Sequence, residues 1–264
     1  MPKVKANGVE LYYELHGPEQ ADVLVLSNGI LMSTASWGLQ VPILSKYYRV
    51  LLYDCRGMWK SDHPKGPYTM ELHADDLAVL LDELKIAQAH ICGISYGAEL
   101  SMEFAVKYPQ RTRSLILASS VSESDEVLSG LIESWRSAAR AGDPQRLFEV
   151  SYALNFSSTY ITKNQAAIQA AGARYSQLDM NAVLELIDCF QRFNFTEQLA
   201  KIATRTLVMV GENDILKPRK YSELIVEKIP GAELVVVPDS GHALCLEKPL
   251  LFNALVLGFL AVCQ

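Results

Sequence analysis

The sequence predicts an α/β fold: a mostly parallel eight-stranded sheet with helices on both faces and an inserted helical cap. Three observations predict it. Short apolar segments alternate with amphipathic segments through most of the 264 residues, as expected where helices cover parallel strands. The alternation stops between residues 122 and 197, where helical patterns follow one another. A G-x-S-x-G segment, Gly93-Ile94-Ser95-Tyr96-Gly97, stands between an apolar strand and a helix.

The strands can be placed in order along the chain. Asn7-Gly8 predicts a hairpin between residues 4–5 and 9–15. Six further apolar segments predict parallel strands near residues 23–27, 49–53, 89–94, 114–118, 206–211 and 233–237. Between them, Thr69 has the position of a cap for a helix over 70–84, and Pro218 that of a first-turn proline in a later helix.

Four amphipathic helices are predicted between the strand at residues 114–118 and the strand at residues 206–211. We expect them at residues 125–140, at 144–154 after an Asp143 cap, at 163–175 after a Thr162 cap, and at 180–192 after an Asp179 cap. We therefore predict a core domain formed by residues 1–121 and 198–264, and a helical cap formed by 122–197. Such an insertion covers the carboxyl ends of the strands, where ligands bind in these sheets. The residues expected to line the pocket there are Leu31, Trp59, Trp135, Tyr152, Phe156, Phe190 and Phe193.

Ser95 is the predicted nucleophile. A strand that turns sharply into a helix holds a serine in strained backbone geometry, with its hydroxyl exposed above the sheet. The helix that follows points unpaired N–H groups at the same place, and these stabilise negative charge on a substrate oxygen. This arrangement indicates acyl transfer.

A serine nucleophile needs a base and an acid that orients the base. His242 follows an apolar strand and sits in a turn, whereas His16, His63, His73 and His90 are interpreted as surface or structural histidines. Asp214, in the loop after the strand at 206–211, is the favoured acid, with Glu212 and Glu123 as alternatives. The chain order is then serine, acid, histidine, which is the order typical of this kind of turn.

On these residues the chain resembles the α/β-hydrolase superfamily, and within it the 3-oxoadipate enol-lactonase-like and small carboxylesterase branches. The matching segments are residues 49–57, 61–62, 66–69, the Ser95 turn, 211–214 and 241–242. The resemblance implies that two backbone N–H groups hold the oxyanion, one from Tyr96 and one from Ile30, with Leu31 as the alternative one residue later.

The chain departs from this pattern at two places. Asn28 stands where the family usually has a histidine, and Met58-Trp59 stand where it usually has His-Gly. A small polar pair is thus replaced by a bulky apolar one. We expect these two side chains either to narrow the pocket entrance or to pack beneath the cap.

Composition excludes several function classes. The formal net charge of −6 gives no basic surface for nucleic acid. The N-terminal residues lack the apolar segment of a signal peptide, and no segment is long enough to span a bilayer, so a cytoplasmic protein without membrane partners is expected. The five cysteines are widely spaced, which indicates reduced thiols and no structural metal.

We therefore predict a serine hydrolase that cleaves a small carboxylic ester or lactone through an acyl-enzyme, without a cofactor. An enol-lactonase must also hold a substrate carboxylate, for which the cap offers Arg136, Arg140, Arg146, Arg174 and Arg192. Two alternatives share the same residues: a ligand receptor with slow or no turnover, and a thioesterase or acyltransferase. The sequence does not indicate an oligomeric state.

Overall fold

An eight-stranded sheet forms the centre of the computed structural model, which describes residues 2–263. The strands are β1 (Lys3–Ala6), β2 (Val9–His16), β3 (Val23–Ser27), β4 (Arg49–Tyr53), β5 (Ala89–Ile94), β6 (Thr112–Ala118), β7 (Thr206–Gly211) and β8 (Glu233–Val237). They lie in the order β1-β2-β4-β3-β5-β6-β7-β8. β2 pairs antiparallel with both β1 and β4, and all other neighbours are parallel. The prediction of a mostly parallel eight-stranded sheet is confirmed.

Helices connect the strands and cover both faces of the sheet. They are α1 (Val41–Leu44), α2 (Met70–Glu83), α3 (Tyr96–Lys107), α4 (Glu126–Arg140), α5 (Pro144–Asn155), α6 (Ser158–Gly172), α7 (Met180–Gln191), α8 (Arg219–Lys228), α9 (Leu244–Glu247) and α10 (Pro249–Ala261). Thr69 caps α2 as expected, because its hydroxyl accepts the N–H of Leu72. Pro218 is the residue before α8 and not its first helical residue.

Alternate side chains of the strands enter two separate cores. In β4, Leu51 and Tyr53 belong to the core shared with α2, α3 and α8, whereas Val50 and Leu52 belong to the core shared with α10. This period of two is the geometry of a strand buried on both faces. The sheet is thereby fixed from both sides, and its carboxyl-end loops have a rigid base.

The chain between β6 and β7 leaves and re-enters the core at one place. Glu123 and Asn194 form an antiparallel bridge, and the N–H of Phe195 donates to the carbonyl of Ser122 at 2.8 Å. Between these contacts lie α4 to α7. Asp143 and Asp179 each accept a backbone N–H in the first turn of α5 and α7, as predicted. Asp125, expected as the first residue of its helix, is instead the cap of α4 and accepts the N–H of Leu128.

The prediction of a helix over 163–175 with a Thr162 cap is wrong. Helix α6 begins at Ser158, five residues earlier, and the hydroxyl of Ser157 caps it by accepting the N–H of Tyr160. The Thr162 hydroxyl instead donates to the carbonyl of Ser158 inside the helix. Asn164 has non-helical angles (φ −126°, ψ 24°), so the helix bends there. This bend interrupts the apolar period that a straight helix shows.

Across residues 2–263, none of the helices combines the length and the apolarity that spanning a bilayer requires.

His73 of α2 is buried beneath α3. Its Nε2 lies 2.7 Å from the hydroxyl of Tyr96, and its Nδ1 has no hydrogen-bond partner within the described chain. Burial, together with the nearby charge of Arg56, lowers the pKa of His73 to about 3. The imidazole is therefore neutral in the folded protein at ordinary pH.

This histidine should make the protein sensitive to acid. In the unfolded chain His73 takes up a proton as the pH falls below its ordinary pKa of about 6.5. In the folded chain it does so only as the pH approaches about 3. The free energy of unfolding therefore decreases as the pH falls from about 6.5 to about 3. From about pH 7.5 to about pH 5, wild type should lose roughly 2 kcal/mol more unfolding free energy than His73→Gln. Urea unfolding at both pH values measures this difference, and equal losses would contradict it.

Candidate active site

Ser95 lies in the turn between β5 and α3. Its backbone has φ 54° and ψ −122°, a conformation that L-residues rarely adopt. Two glycines make the turn possible. A Cβ at Gly93 would lie 2.1 Å from the carbonyl oxygen of Gly97, and one at Gly97 would lie 2.2 Å from that of Ser27. No side chain fits at either position.

Backbone hydrogen bonds hold this turn in place. The N–H of Ser95 donates to the carbonyl of Ala118 at the end of β6, at 2.8 Å. The carbonyl of Ser95 accepts the N–H groups of Ala98 and Glu99, which begins the helix. The side chain of Ser95 therefore stands at the carboxyl end of the sheet, where it borders a cavity.

His242 and Asp214 form a buried pair. Nδ1 of His242 lies 2.9 Å from Oδ2 of Asp214. The other carboxylate oxygen accepts the N–H groups of Leu216 at 3.0 Å and Lys217 at 2.8 Å. Because the carboxylate is an acceptor, Nδ1 carries the proton, and Nε2 is left as the basic atom.

The alternative acids contact other groups. Glu212 accepts the N–H of Asp239, and Glu123 accepts the hydroxyl of Thr196. The structure thus brings Asp214 to the imidazole, and neither glutamate. The other four histidines lie elsewhere: His16 contacts Glu14, His63 contacts Asp179, His73 contacts Tyr96 and His90 contacts Ser114.

Ser95 and His242 border the same cavity. Between these two described residues no side-chain hydrogen bond is formed. Catalytic hydrogen bonds in unliganded active sites are commonly long and tighten when substrate binds. The side chains of Ser95 and His242 therefore border one cavity, and the hydrogen bond between His242 and Asp214 is already formed.

The His242 loop is held by both the core and the cap. The hydroxyl of Ser119 donates to the carbonyl of His242 at 2.8 Å. Glu247 accepts the N–H of Gly241 at 3.0 Å and, through its second oxygen, the hydroxyl of Ser157 at 2.5 Å. Because Ser157 caps α6, one carboxylate connects the histidine loop to a cap helix.

The loop after β3 is fixed by a network of polar side chains. Asn28, which replaces the usual histidine, accepts the indole N–H of Trp37 at 2.8 Å and donates to Asp54. Asp54 also accepts the N–H of Thr34 at 2.9 Å, and burial raises its pKa to about 6 despite these donors. Ile30, in the middle of this loop, borders the cavity.

The two proposed oxyanion donors are free to bind a ligand. Within the described chain, the backbone N–H groups of Ile30 and Tyr96 donate to no protein acceptor. Ile30 borders the cavity, whereas Tyr96, whose side chain is buried, is not among the residues that line it.

A cavity of about 250 Å³ lies between the core and the cap. It is lined by five of the seven residues placed there from the sequence: Leu31, Trp59, Trp135, Tyr152 and Phe156. Phe190 and Phe193, which were also expected there, are buried in the core shared with the cap and do not border it. Met58 is buried as well, so of the Met58-Trp59 pair only the tryptophan reaches the cavity.

Sequence reasoning missed the contribution of α6. Tyr160 and Ile168 from this helix and Tyr175 from the following 3₁₀ turn line the cavity. Ile168 and Tyr175 lay within the predicted helix without being assigned to the pocket, whereas Tyr160 was overlooked because the start of α6 was misplaced. The Ser157-Ser158 pair before an apolar segment was the signal that could have located it.

One of the five cap arginines reaches the cavity. Arg174, in the 3₁₀ turn Ala173–Gln177, borders it. Arg136 instead contacts Asp188 and Glu133, Arg140 contacts Glu133, Arg146 contacts Glu149, and Arg192 donates to the carbonyl of Tyr68.

A buried ion pair lies behind the site and was not expected from the sequence. Nζ of Lys217 lies 2.9 and 3.0 Å from the two carboxylate oxygens of Glu99, and both side chains are fully buried. Burial raises the pKa of Glu99 and lowers that of Lys217, while the opposite charge of each partner opposes these shifts. Its sequence signal is weak, because a glutamate in a helix and a lysine in a loop are usually solvated.

The described part of the chain contains no group of histidine, cysteine or acidic side chains that could hold a metal ion.

Comparisons with known proteins agree with this architecture. A family model described as the alpha/beta hydrolase fold matches residues 22–249. A relative from Azorhizobium caulinodans, named carbamate hydrolase RutD, is 29% identical over 261 residues, 98% of each chain.

Two solved structures are similar over nearly the whole chain. MGS-M2, an alpha/beta hydrolase enzyme from a deep-sea metagenome library, has a TM-score of 0.94 and 30% identity and covers 98% of this chain and 97% of its own. The enol-lactonase from Burkholderia xenovorans LB400 has a TM-score of 0.92 and 27% identity, with 98% and 100% covered. The chain belongs to the α/β-hydrolase fold family.

Proposed function

We propose that the protein hydrolyses a small carboxylic ester or lactone through an acyl-enzyme on Ser95. The observation that carries this proposal is the meeting of Ser95 and the His242–Asp214 pair at one covered cavity. The family membership supports hydrolysis in general. The similarity to an enol-lactonase supports the ester or lactone class.

In the first step, Nε2 of His242 takes the proton of the Ser95 hydroxyl as its oxygen attacks the substrate carbonyl. Asp214 holds the imidazole in the required tautomer and stabilises the imidazolium that forms. The oxyanion is bound by the N–H groups of Tyr96 and Ile30, which donate to no acceptor among residues 2–263. His242 then protonates the leaving oxygen, and the acyl group remains on Ser95.

In the second step, His242 deprotonates a water molecule that attacks the acyl-enzyme. The same two N–H groups bind the second oxyanion, and the acid product leaves with Ser95 restored. When the substrate is a lactone, the alcohol formed in the first step remains part of the acyl group, so no product leaves before the second step. No step requires a cofactor.

The size of the cavity limits the substrate. A volume of about 250 Å³ lined mostly by apolar and aromatic side chains suits a small acyl group. Short p-nitrophenyl esters should therefore be hydrolysed faster than long ones. Carbamates belong in the same panel, because the name of one relative concerns them and serine attack on their carbonyl follows the same path.

Replacement of Ser95 tests the mechanism. Ser95→Ala should abolish labelling by a fluorophosphonate probe and lower kcat for a short p-nitrophenyl ester by at least about 1,000-fold. Ser134→Ala, on the exposed surface of α4, is the matched control and should retain both. Labelling that persists in Ser95→Ala would place the nucleophile elsewhere.

The same panel of esters and carbamates distinguishes a hydrolase from a ligand receptor and from an acyltransferase. A compound that stabilises the wild-type protein in a thermal shift assay but is never turned over would favour a receptor. Faster release of the acyl group to an alcohol than to water would favour an acyltransferase.

A further inference from the structure

Arg174 carries the positive charge of the cavity. Among the described residues that line it there is no aspartate, glutamate or lysine, and no carboxylate lies within 4.0 Å of the Arg174 guanidinium. Three other cap arginines, Arg136, Arg140 and Arg146, are each paired with a carboxylate. Arg192 also has no carboxylate partner in the described chain, but it donates to the carbonyl of Tyr68 and does not border the cavity. Of the cap arginines, only Arg174 both borders the cavity and lacks a carboxylate partner among the described residues.

Two contacts hold the Arg174 side chain at this position. Its guanidinium stacks over the ring of Trp59, with 4.6 Å between the guanidinium carbon and the ring centroid. One of its N–H groups donates to the hydroxyl of Ser33 at 3.0 Å. A guanidinium has five N–H donors in a planar fork, so an edge remains that can bind a planar anion.

We infer that Arg174 binds a carboxylate carried by the substrate, so that the enzyme prefers small anionic esters or lactones. This inference rests on the proposed function and deepens it. Arg174 is exposed to solvent where it borders the cavity, and the rest of the lining is mostly apolar. A charge-assisted hydrogen bond between its guanidinium and a carboxylate is stronger than one between neutral groups. The stacked, preordered guanidinium loses little further freedom when it binds.

A matched pair of substrates tests this. Monomethyl adipate carries a free carboxylate, and methyl pentanoate is a neutral ester of similar length. Wild type should show a higher kcat/KM for the anionic ester. Arg174→Gln should reduce the ratio of the two kcat/KM values by roughly 10- to 100-fold, mainly through KM, because a charge-assisted contact is lost.

Arg146→Gln is the control, since Arg146 lies in the same cap, is exposed and contacts Glu149. It should leave the ratio unchanged. The ratio in wild type should also fall as salt concentration rises. A ratio that Arg174→Gln leaves unaltered would overturn the inference.

Binding can be measured apart from turnover. In a Ser95→Ala background, monomethyl adipate should raise the melting temperature in a saturable manner, and the added Arg174→Gln change should remove this shift. A shift that persists without Arg174 overturns the anion site. Failure of wild type to hydrolyse any ester would instead count against the proposed function, because the binding measurement does not need catalysis.

A second, independent observation concerns the Glu99–Lys217 ion pair. Glu99 lies in the first turn of α3, four residues after Ser95, and Lys217 lies three residues after Asp214. The pair therefore joins the turn that carries the nucleophile to the loop that carries the acid. The backbone N–H of Lys217 also donates to Asp214, so the same residue contacts both sides.

Other elements packed around the pair hold it in place. Glu99 accepts the N–H of Val121, at the exit from β6, at 3.1 Å. The Lys217 ammonium lies 4.7 Å from the ring centroid of Phe190 in cap helix α7. The site of the pair is thus where the core, the acid loop and the cap meet.

We propose that Glu99 and Lys217 are positioning residues that set the alignment of Ser95 with the His242–Asp214 pair. Stability alone does not explain their placement, because apolar residues of similar size often replace a buried ion pair without loss of stability. The double variant Glu99→Met with Lys217→Met should therefore fold with a melting temperature near that of wild type. Its kcat should fall at least about tenfold while KM changes little, as expected for misaligned reacting groups.

A second buried pair provides the control. Arg56 and Asp76 form a short ion pair, with 2.6 Å between Nε and Oδ2, that does not connect the Ser95 turn to the Asp214 loop. Arg56→Met with Asp76→Met should leave kcat unchanged.

A second double variant with more conservative substitutions is needed in case Glu99→Met with Lys217→Met does not fold. Glu99→Gln with Lys217→Gln keeps polar side chains at both positions and removes the charges, and it should show an intermediate kcat. Wild-type kcat in either folded double variant would overturn the positioning role.

Discussion

The close packing of backbone at the Ser95 turn is the constraint on which the rest of the site depends. Gly93, Gly97 and Ser27 approach so closely that a methyl group at either glycine would overlap a carbonyl oxygen. The first turn of α3 is thereby held against the end of β3. The loop that carries Ile30 starts directly after Ser27, so the same contact fixes this loop relative to the turn that carries Ser95 and Tyr96, the residues of the proposed oxyanion site.

The periodic parts of the fold could be predicted from the sequence. Strands buried on both faces give continuous apolar segments, and the aspartates before α5 and α7 mark the helix starts by a local hydrogen bond. The prediction of α6 failed because the helix bends at Asn164 and its capping serine, Ser157, lies six residues before the predicted start. Local signals fail where a helix is held by its neighbours and not by its own pattern.

Some residues of the candidate site could likewise be predicted from local sequence signals, and others could not. Ser95, Asp214 and His242 each lie in the turn or loop that follows a parallel strand, so the sheet itself brings them to one edge. Which arginine faces the cavity could not be predicted, because Arg174 lies in a 3₁₀ turn whose direction depends on the cap. The Glu99–Lys217 pair was missed because its partners are 118 positions apart in the chain and each is of an ordinarily exposed type.

The central claim is that the Ser95 oxygen forms a covalent ester during turnover. The most direct measurement mixes the protein with a short p-nitrophenyl ester, quenches it with acid within the first turnovers, and determines the masses of the resulting peptides. The peptide containing Ser95 should gain the mass of the acyl group and lose it again once the ester is consumed. An unmodified Ser95 peptide during steady hydrolysis, or an acyl group on another residue, would contradict the account.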